Sequence, residues 1–195
     1  QWVVNKACAQ IAEFTAQGII LPPVAVNVSP KQFQFSNMSA DILEKVAKYN
    51  IAPGKLSIEI TEELLLDHNQ EVHDQLETLQ SGGIGISIDD FGTGYSSLQY
   101  LRDLPATRLK IDQTFIARIE NSSADRAIIS TIAHLAHALN MRVVAEGVEN
   151  EAQFALLRAS GCDEVQGYLL GRPLTVDELR NLFGPQNAQS ETSAP

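Results

Sequence analysis

The sequence predicts an α/β fold: a TIM-like (β/α)8 barrel, of which about six βα units are present. Three observations lead there. Strand-like and helix-like segments alternate along nearly the whole chain, with no linker or low-complexity stretch between them, and such alternation implies a parallel sheet. Each strand-like run also carries one polar residue near its C-terminal end, between apolar or small neighbours. Side chains alternate faces with period two, so a doubly wound sheet, helix-covered on both faces, would scatter these groups in apolar layers. A barrel gathers them at its C-terminal mouth, where barrel enzymes keep their chemistry. Finally, six units and 195 residues fall short of the eight strands and ~250 residues of a complete barrel. The missing strands are expected before Gln1, because the other end reads as a tail.

Val4, Cys8 and Ile11 recur at helical spacing. "VAVNVS" (24–29), β-branched and preceded by Pro22-Pro23, reads as a strand. A loop and a helix over 40–49 follow. "LSIEIT" (56–61) is the next strand, with a helix running to about Gln80. "IGISID" (84–89) follows Gly82-Gly83, and a helix is expected to start near Ser96. "RLKID" (108–112) follows Pro105. Ile128, Ile132, Leu135 and Leu139 make a helical stripe, with Ser122 or Ser123 as its cap. "RVVAEG" (142–147) is a strand and 151–159 a helix. "EVQGYL" (164–169) is the last strand, and a short helix starts at Thr175. Residues 1–184 thus read as one domain. Residues 185–195 are polar and apolar-poor, and are expected to form a disordered tail.

Parity then sorts the strand residues. Asn27 opposes Val26 and Val28; Glu59 opposes Ile58 and Ile60; Ser87 and Asp89 oppose Ile86 and Ile88. Lys110 opposes Leu109 and Ile111, Glu146 opposes Ala145 and Gly147, and Gln166 opposes Val165 and Gly167. Composition limits what such a face can do. A net charge of −10 excludes a duplex nucleic-acid binder, which needs a basic surface. A small anionic ligand remains compatible if cations bridge it to the protein. No apolar run reaches the ~20 residues of a membrane helix, and no signal peptide is visible. Cys8 and Cys162, far apart, read as buried thiols of a reduced compartment.

Six motifs together resemble the EAL domain family, bacterial phosphodiesterases that linearise cyclic di-GMP. They are "VNVSP" (26–30), "IEITE" (58–62), "DDFGTGYSSL" (89–98), "LKID" (109–112), "AEGVE" (145–149) and "QGYLLGRPL" (166–174). Each is weak alone; six in this order are specific. The Glu-Ala-Leu tripeptide that names the family is absent, together with its metal-binding Glu, and Ser57 stands where an acidic residue is common. The expected fold is therefore an EAL-type barrel truncated at its N-terminus.

The resemblance implies a two-metal site for Mg2+ or Mn2+. Such cations prefer oxygen donors, activate a water, and stabilise the leaving oxygen of a phosphodiester. By resemblance Asn27, Glu59 and Asp89 hold the first metal, Asp89 bridges, and Asp90 holds the second. Adjacent residues leave a strand in opposite directions, so Asp90 reaches the mouth only if the chain turns; Gly92 and Gly94 are expected to permit that turn. Lys110 would contact the attacking water or phosphate, and Glu146 would orient or deprotonate the water or sit near the second metal. Glu149 and Gln166 would touch substrate or support the ligands, and Glu62 would pin the loop after the Asp pair, a loop that goes with dimer contacts.

Each residue also has a plainer reading. Asp89-Asp90 can be a turn pair, Glu59 an ion-pair partner of Lys110, Asn27 a structural amide, Lys110 a counter-ion, and Glu62 and Glu149 helix-start carboxylates. His134 and His137, off the helical stripe, read as surface residues, and His68 and His73 as part of a polar helix start.

The implied activity is hydrolysis of cyclic di-GMP to linear pGpG. The alternative is a non-catalytic cyclic di-GMP receptor, since the Glu-Ala-Leu Glu is missing. A structural fragment and a Mg2+-dependent barrel enzyme acting on a carboxylate substrate are remoter readings. The implied partners are cyclic di-GMP, a second copy in a homodimer, and an N-terminal sensor or GGDEF-type (diguanylate-cyclase-like) domain. The implied location is cytoplasmic, alone or as the cytoplasmic part of a membrane-anchored sensor.

Overall fold

A computed structural model of the chain describes residues 2–35, 37–66, 69–94 and 98–184. In order, the elements are α1 (Trp2–Ala16), β1 (Val24–Asn27), α2 (Pro30–Phe35), α3 (Met38–Lys48) and β2 (Leu56–Thr61). A 3-10 turn (Glu62–Leu66), α4 (Gln70–Ser81), β3 (Gly85–Phe91), α5 (Leu98–Asp103) and β4 (Arg108–Ile111) follow. The last are α6 (Gln113–Ile116), α7 (Ser123–Ala138), β5 (Arg142–Ala145), α8 (Glu151–Ala159), β6 (Glu164–Val165) and α9 (Val176–Phe183). No helix among the described residues is long and apolar enough to cross a membrane.

The six strands are parallel and lie in sequence order, β1 to β6. Each crossover therefore advances in the same direction. Because such connections are right-handed, the helices between successive strands fall on one face, and the other face curls around an axis. Among the described residues the result is a half-barrel, as parity required, with no reversal of strand order and hence no doubly wound sheet. Within the described residues β1 and β6 are its edges.

The core lies between the outer face and the helices. Val26, Val28, Ile58, Ile60, Ile86, Ile88, Leu109, Ile111 and Ala145 are all buried there, each large one contributing about 1.5–3 kcal/mol. Cys8, Ile11, Ile42, Leu76, Leu79, Leu101, Ile129 and Leu157 meet them from the helices. Polar caps set the helix starts: Asn37, Asn69, Asp112, Ser122, Asn150 and Thr175 each accept a backbone N–H with the side chain.

Four readings shift. The buried stripe of α7 is Ile129, Ile132, Ala133 and Ala136, whereas Ile128 is 40% exposed. Small Ala133 and Ala136 let α7 settle on β4 and β5, and Leu135 and Leu139 pack at the margin. The last strand stops at Val165, because the chain turns: Leu170 N–H donates to Gly167 O. Residues 30–35, read as loop, form α2 with proline at its first position. The four-residue α6 is too short for periodicity to register. The expected helix start at Ser96 and the tail 185–195 lie outside the described residues.

Candidate active site

The site is built at the ends of β2 to β5. Asn27 and Glu59 are register partners, as are Glu59 and Ser87, and Thr61 and Asp89. β3 then breaks its register with β4. Ile88 pairs with Leu109, but Phe91 pairs with Ile111, so three steps on β3 match two on β4. This is a bulge, and it re-aims the residues it contains. Asp90 carries the strain, with φ at +54°, a left-handed conformation that Asp tolerates better than most residues. Its N–H donates to Asp89 Oδ1 at 3.0 Å. The turn expected from Gly92 and Gly94 is thus made at Asp90 itself. Gly92 continues it with φ of +100°. Gly94 serves a close approach instead: a Cβ there would lie 3.2 Å from Glu62 Cδ.

Lys110 stands at the centre. Its Nζ is 2.7 Å from Glu146 Oε1, 2.9 Å from Glu59 Oε1 and 3.1 Å from Asp89 Oδ1. Lys110 and Asp89 are buried, and Glu59 and Glu146 half-buried. Burial disfavours the ammonium, but hydrogen bonds to Glu146 and Glu59 outweigh it and hold the Lys110 pKa above the ordinary lysine range. Glu146 moves up: burial raises it, Lys110 opposes, and Asp89 and Glu59 add repulsion. Asp90 also moves up, through burial and then through repulsion from Asp89 and Asp112, partly offset by Lys110.

Asp89, Asp90 and Glu146 offer carboxylate oxygens that lie within 4.8 Å of one another. With Glu59 beside them and Asn27 beside Glu59, the donor set is all oxygen, which suits a hard divalent cation. The carboxylate grouping thus sets Glu146 beside Asp90, the residue expected at the second metal.

Glu62 is buried on the 3-10 turn after β2. Its Oε2 accepts from Gly92 N at 2.8 Å and Gly94 N at 3.1 Å, so one carboxylate ties the loop after the Asp pair to the end of β2. Gln166 is exposed and lines a cleft of about 250 Å3 with Glu59, Ser87, Arg108, Lys110 and Glu164. Glu149 is exposed at the turn before α8, its N–H donating to Gln153 Oε1 at 2.8 Å. The cap of α8 is Asn150.

Sequence reasoning passed over Thr61 and Asp112. Thr61 Oγ1 is buried without a hydrogen-bond partner among the described residues, on the face shared with Glu59. Asp112 is buried, caps α6 through Thr114 and faces Asp90 electrostatically. Parity marks both, since each lies two residues beyond a chosen site residue. The histidines lie elsewhere. His134 Nδ1 meets Ser130 O, His137 meets Asp163, and His73 Nε2 meets Asp103 O; His68 is outside the described residues. His73, Asp74 and Glu77 form a second possible ligand group, on the surface of α4.

The model of the EAL domain matches residues 1–173. The bifunctional diguanylate cyclase/cyclic di-GMP phosphodiesterase MucR of Pseudomonas aeruginosa is 42% identical over 179 residues, covering 92% of this chain and 26% of that protein. The c-di-GMP complex of PaMucR phosphodiesterase superposes with a TM-score of 0.85 at 42% identity, over 91% of this chain and 72% of that one. The manganese/cy-diGMP complex of Klebsiella pneumoniae BlrP1 superposes with a TM-score of 0.77 at 26% identity, over 87% of this chain and 43% of that one. The chain spans about a quarter of the length of the curated relatives it matches. A half-barrel with these strand-end residues, matched from Gln1 to beyond Gln166, leaves one assignment: the chain belongs to the EAL domain family.

Proposed function

We propose that the chain forms most of the catalytic domain of a cyclic di-GMP phosphodiesterase, a hydrolase that releases linear pGpG. The observation that carries this is the convergence of Glu59, Asp89, Asp90 and Glu146 around Lys110 at one end of the sheet. Names of relatives support it, since cyclic di-GMP phosphodiesterases recur among them. Asn27, Glu59 and Asp89 would hold one divalent cation and Asp90 a second, with Asp89 shared. When bound, Mg2+ or Mn2+ would supply charge stabilisation to both oxygens of an in-line displacement.

This chain's own residues do the rest. Water oxygen bonds to phosphorus as the bond from phosphorus to the sugar oxygen breaks. Glu146 Oε takes the proton that water loses, its basicity increased by burial. The departing alkoxide regains a proton from solvent. Lys110 Nζ, held charged, faces the anionic phosphate. Gln166 and Glu149 border the mouth and contact the dinucleotide. Glu62 fixes the loop that aims Asp90.

In this reading residues 1–184 are the EAL domain without its N-terminal strands, and residues 185–195 are a tail. The partners are a second copy and an N-terminal sensor or GGDEF-type domain, and the setting is the cytoplasm. The test is cyclic di-GMP hydrolysis with Mn2+ or Mg2+, by this chain and by a form lengthened at its N-terminus through two further strands. Cleavage by the longer form alone gives the activity to the complete barrel, with this chain a truncated barrel missing one ligand. Binding by both with cleavage by neither replaces the enzyme with a receptor.

A further inference from the structure

One layer below Lys110, on the same inner face, lies a second ionic group. Glu164 Oε1 is 3.1 Å from Arg142 Nη1, and Glu164 Oε2 is 3.6 Å from Arg108 Nε. Arg108 and Arg142 are register partners on β4 and β5. Like charges set directly opposite destabilise a sheet, and this carboxylate separates them. Glu164 itself pairs with Val144 of β5, so its side chain reaches past the neighbouring strand to β4. One carboxylate thus spans three strands.

β6 needs such help. It has two residues and two register pairs. Yet the segment just after it meets the site. Gln166 N–H donates to Ala145 O at 2.8 Å, and Gln166 O accepts from Val148 N–H at 3.0 Å. Gly167 presses so close that an added Cβ would lie 2.2 Å from Val148 O. The end of β6 therefore interlocks with the turn that carries Glu146 and Glu149. Arg108 precedes Lys110 by two residues on the same face, and Glu164 precedes Gln166 in the same way.

We propose that Glu164 is a positioning residue: by bridging Arg108 and Arg142 it holds β6 against β4 and β5, and so sets where Gln166 stands at the mouth. It acts on dinucleotide binding rather than on the metal ligands. This rests on the phosphodiesterase reading above.

Glu164→Gln keeps the shape and removes the charge. The KM for cyclic di-GMP rises about two- to five-fold, the range of a partly exposed ion pair. Meanwhile kcat and the Mn2+ requirement stay unchanged. In a Gln166→Ala background the same change leaves KM where it was, since the residue through which Glu164 acts is gone. An unaltered KM, or an equal rise in both backgrounds, overturns the proposal. A second readout does not need activity. Amide hydrogen exchange at Gln166 and Val148 quickens in Glu164→Gln while Ile58 and Ile88 exchange as before; unchanged exchange at Gln166 and Val148 also overturns it. If the parent chain, short or lengthened, cleaves no cyclic di-GMP, the functional reading falls and the exchange measurement alone decides the role of Glu164.

Discussion

Replacing Lys110 by methionine removes one ammonium and leaves three carboxylates facing one another. Methionine keeps the length and apolar stem of the side chain, so the change is largely one of charge. In the parent, Nζ lies 2.7, 2.9 and 3.1 Å from Glu146, Glu59 and Asp89. Lys110 itself is 5% exposed, so solvent screens these contacts little. Breaking a buried ion pair by deleting one partner costs about 3–5 kcal/mol. The three contacts share one cation and do not add, so about 3–5 kcal/mol is the expected loss, at pH 8 and without metal. The loss narrows as pH falls, because Glu146, whose pKa burial already holds above the ordinary range, takes up a proton once Lys110 no longer opposes it. Divalent cation supplies the charge the variant lacks, so Mn2+ raises the stability of the variant more than that of the parent. Urea denaturation at pH 8 and at lower pH, in chelator and in Mn2+, measures all three effects. A loss under about 1 kcal/mol in chelator, the size of an exposed pair, would refute the central role given to Lys110. A loss that does not change with pH would refute the repulsion argument.

Glu62→Ala strands the N–H groups of Gly92 and Gly94, at about 1–3 kcal/mol; faster exchange at both amides and weaker Mn2+ binding by titration calorimetry are expected. The Asp163 pKa lies below the ordinary range: burial raises it, but the Val143 N–H and His137 outweigh burial. Its contribution is therefore present above the ordinary Asp value of about 3.9 and fades as pH falls through the lower folded value. Asp163→Asn is accordingly about 1 kcal/mol less stable at pH 7 and equal to the parent in strong acid, as urea midpoints across pH will tell. Gly167→Ala drives a methyl to within 2.2 Å of Val148 backbone oxygen; about 3 kcal/mol is lost in overpacking, visible as a lower denaturation midpoint.

Parity made the inner face legible because strand period is local and rigid. Glu59, Asp89 and Lys110 were placed on one side by their neighbours Ile58, Ile88 and Leu109, all of which are fully buried. Rotation of α7 was not legible to one residue, because Ile128 and Ile129 are equally apolar; only the fit of Ala133 and Ala136 decides between them. The need for a turn at Asp90 was legible from the Asp pair and the glycines after it, but not the bulge that makes it, which is a register mismatch between β3 and β4. The partners of Lys110 were legible only in part: parity set Glu59 on its face as an ion-pair partner, but gave no distances to Glu59, Asp89 or Glu146. Lys110 joins four strands and Glu164 three, and no run of sequence contains their partners.

What joins these cases is the order of the strands. A monotonic parallel sheet turns every strand end toward the same axis, so polar residues at the ends of successive strands share one face. In a sheet whose order reverses, the same residues would part to opposite sides. Local parity therefore suffices to choose the face, but the spacing of charges upon it depends on register and on bulges such as the one at Asp90. The two carboxylates at the end of β3 show the division. Alternation alone would send Asp90 away from Asp89, toward the helices and into the apolar layer with Ile86 and Ile88. One extra residue and a left-handed φ keep it at the mouth, within 4.8 Å of Asp89 and Glu146. Backbone strain thus brings like charges together in a grouping of oxygen donors that could hold a divalent cation.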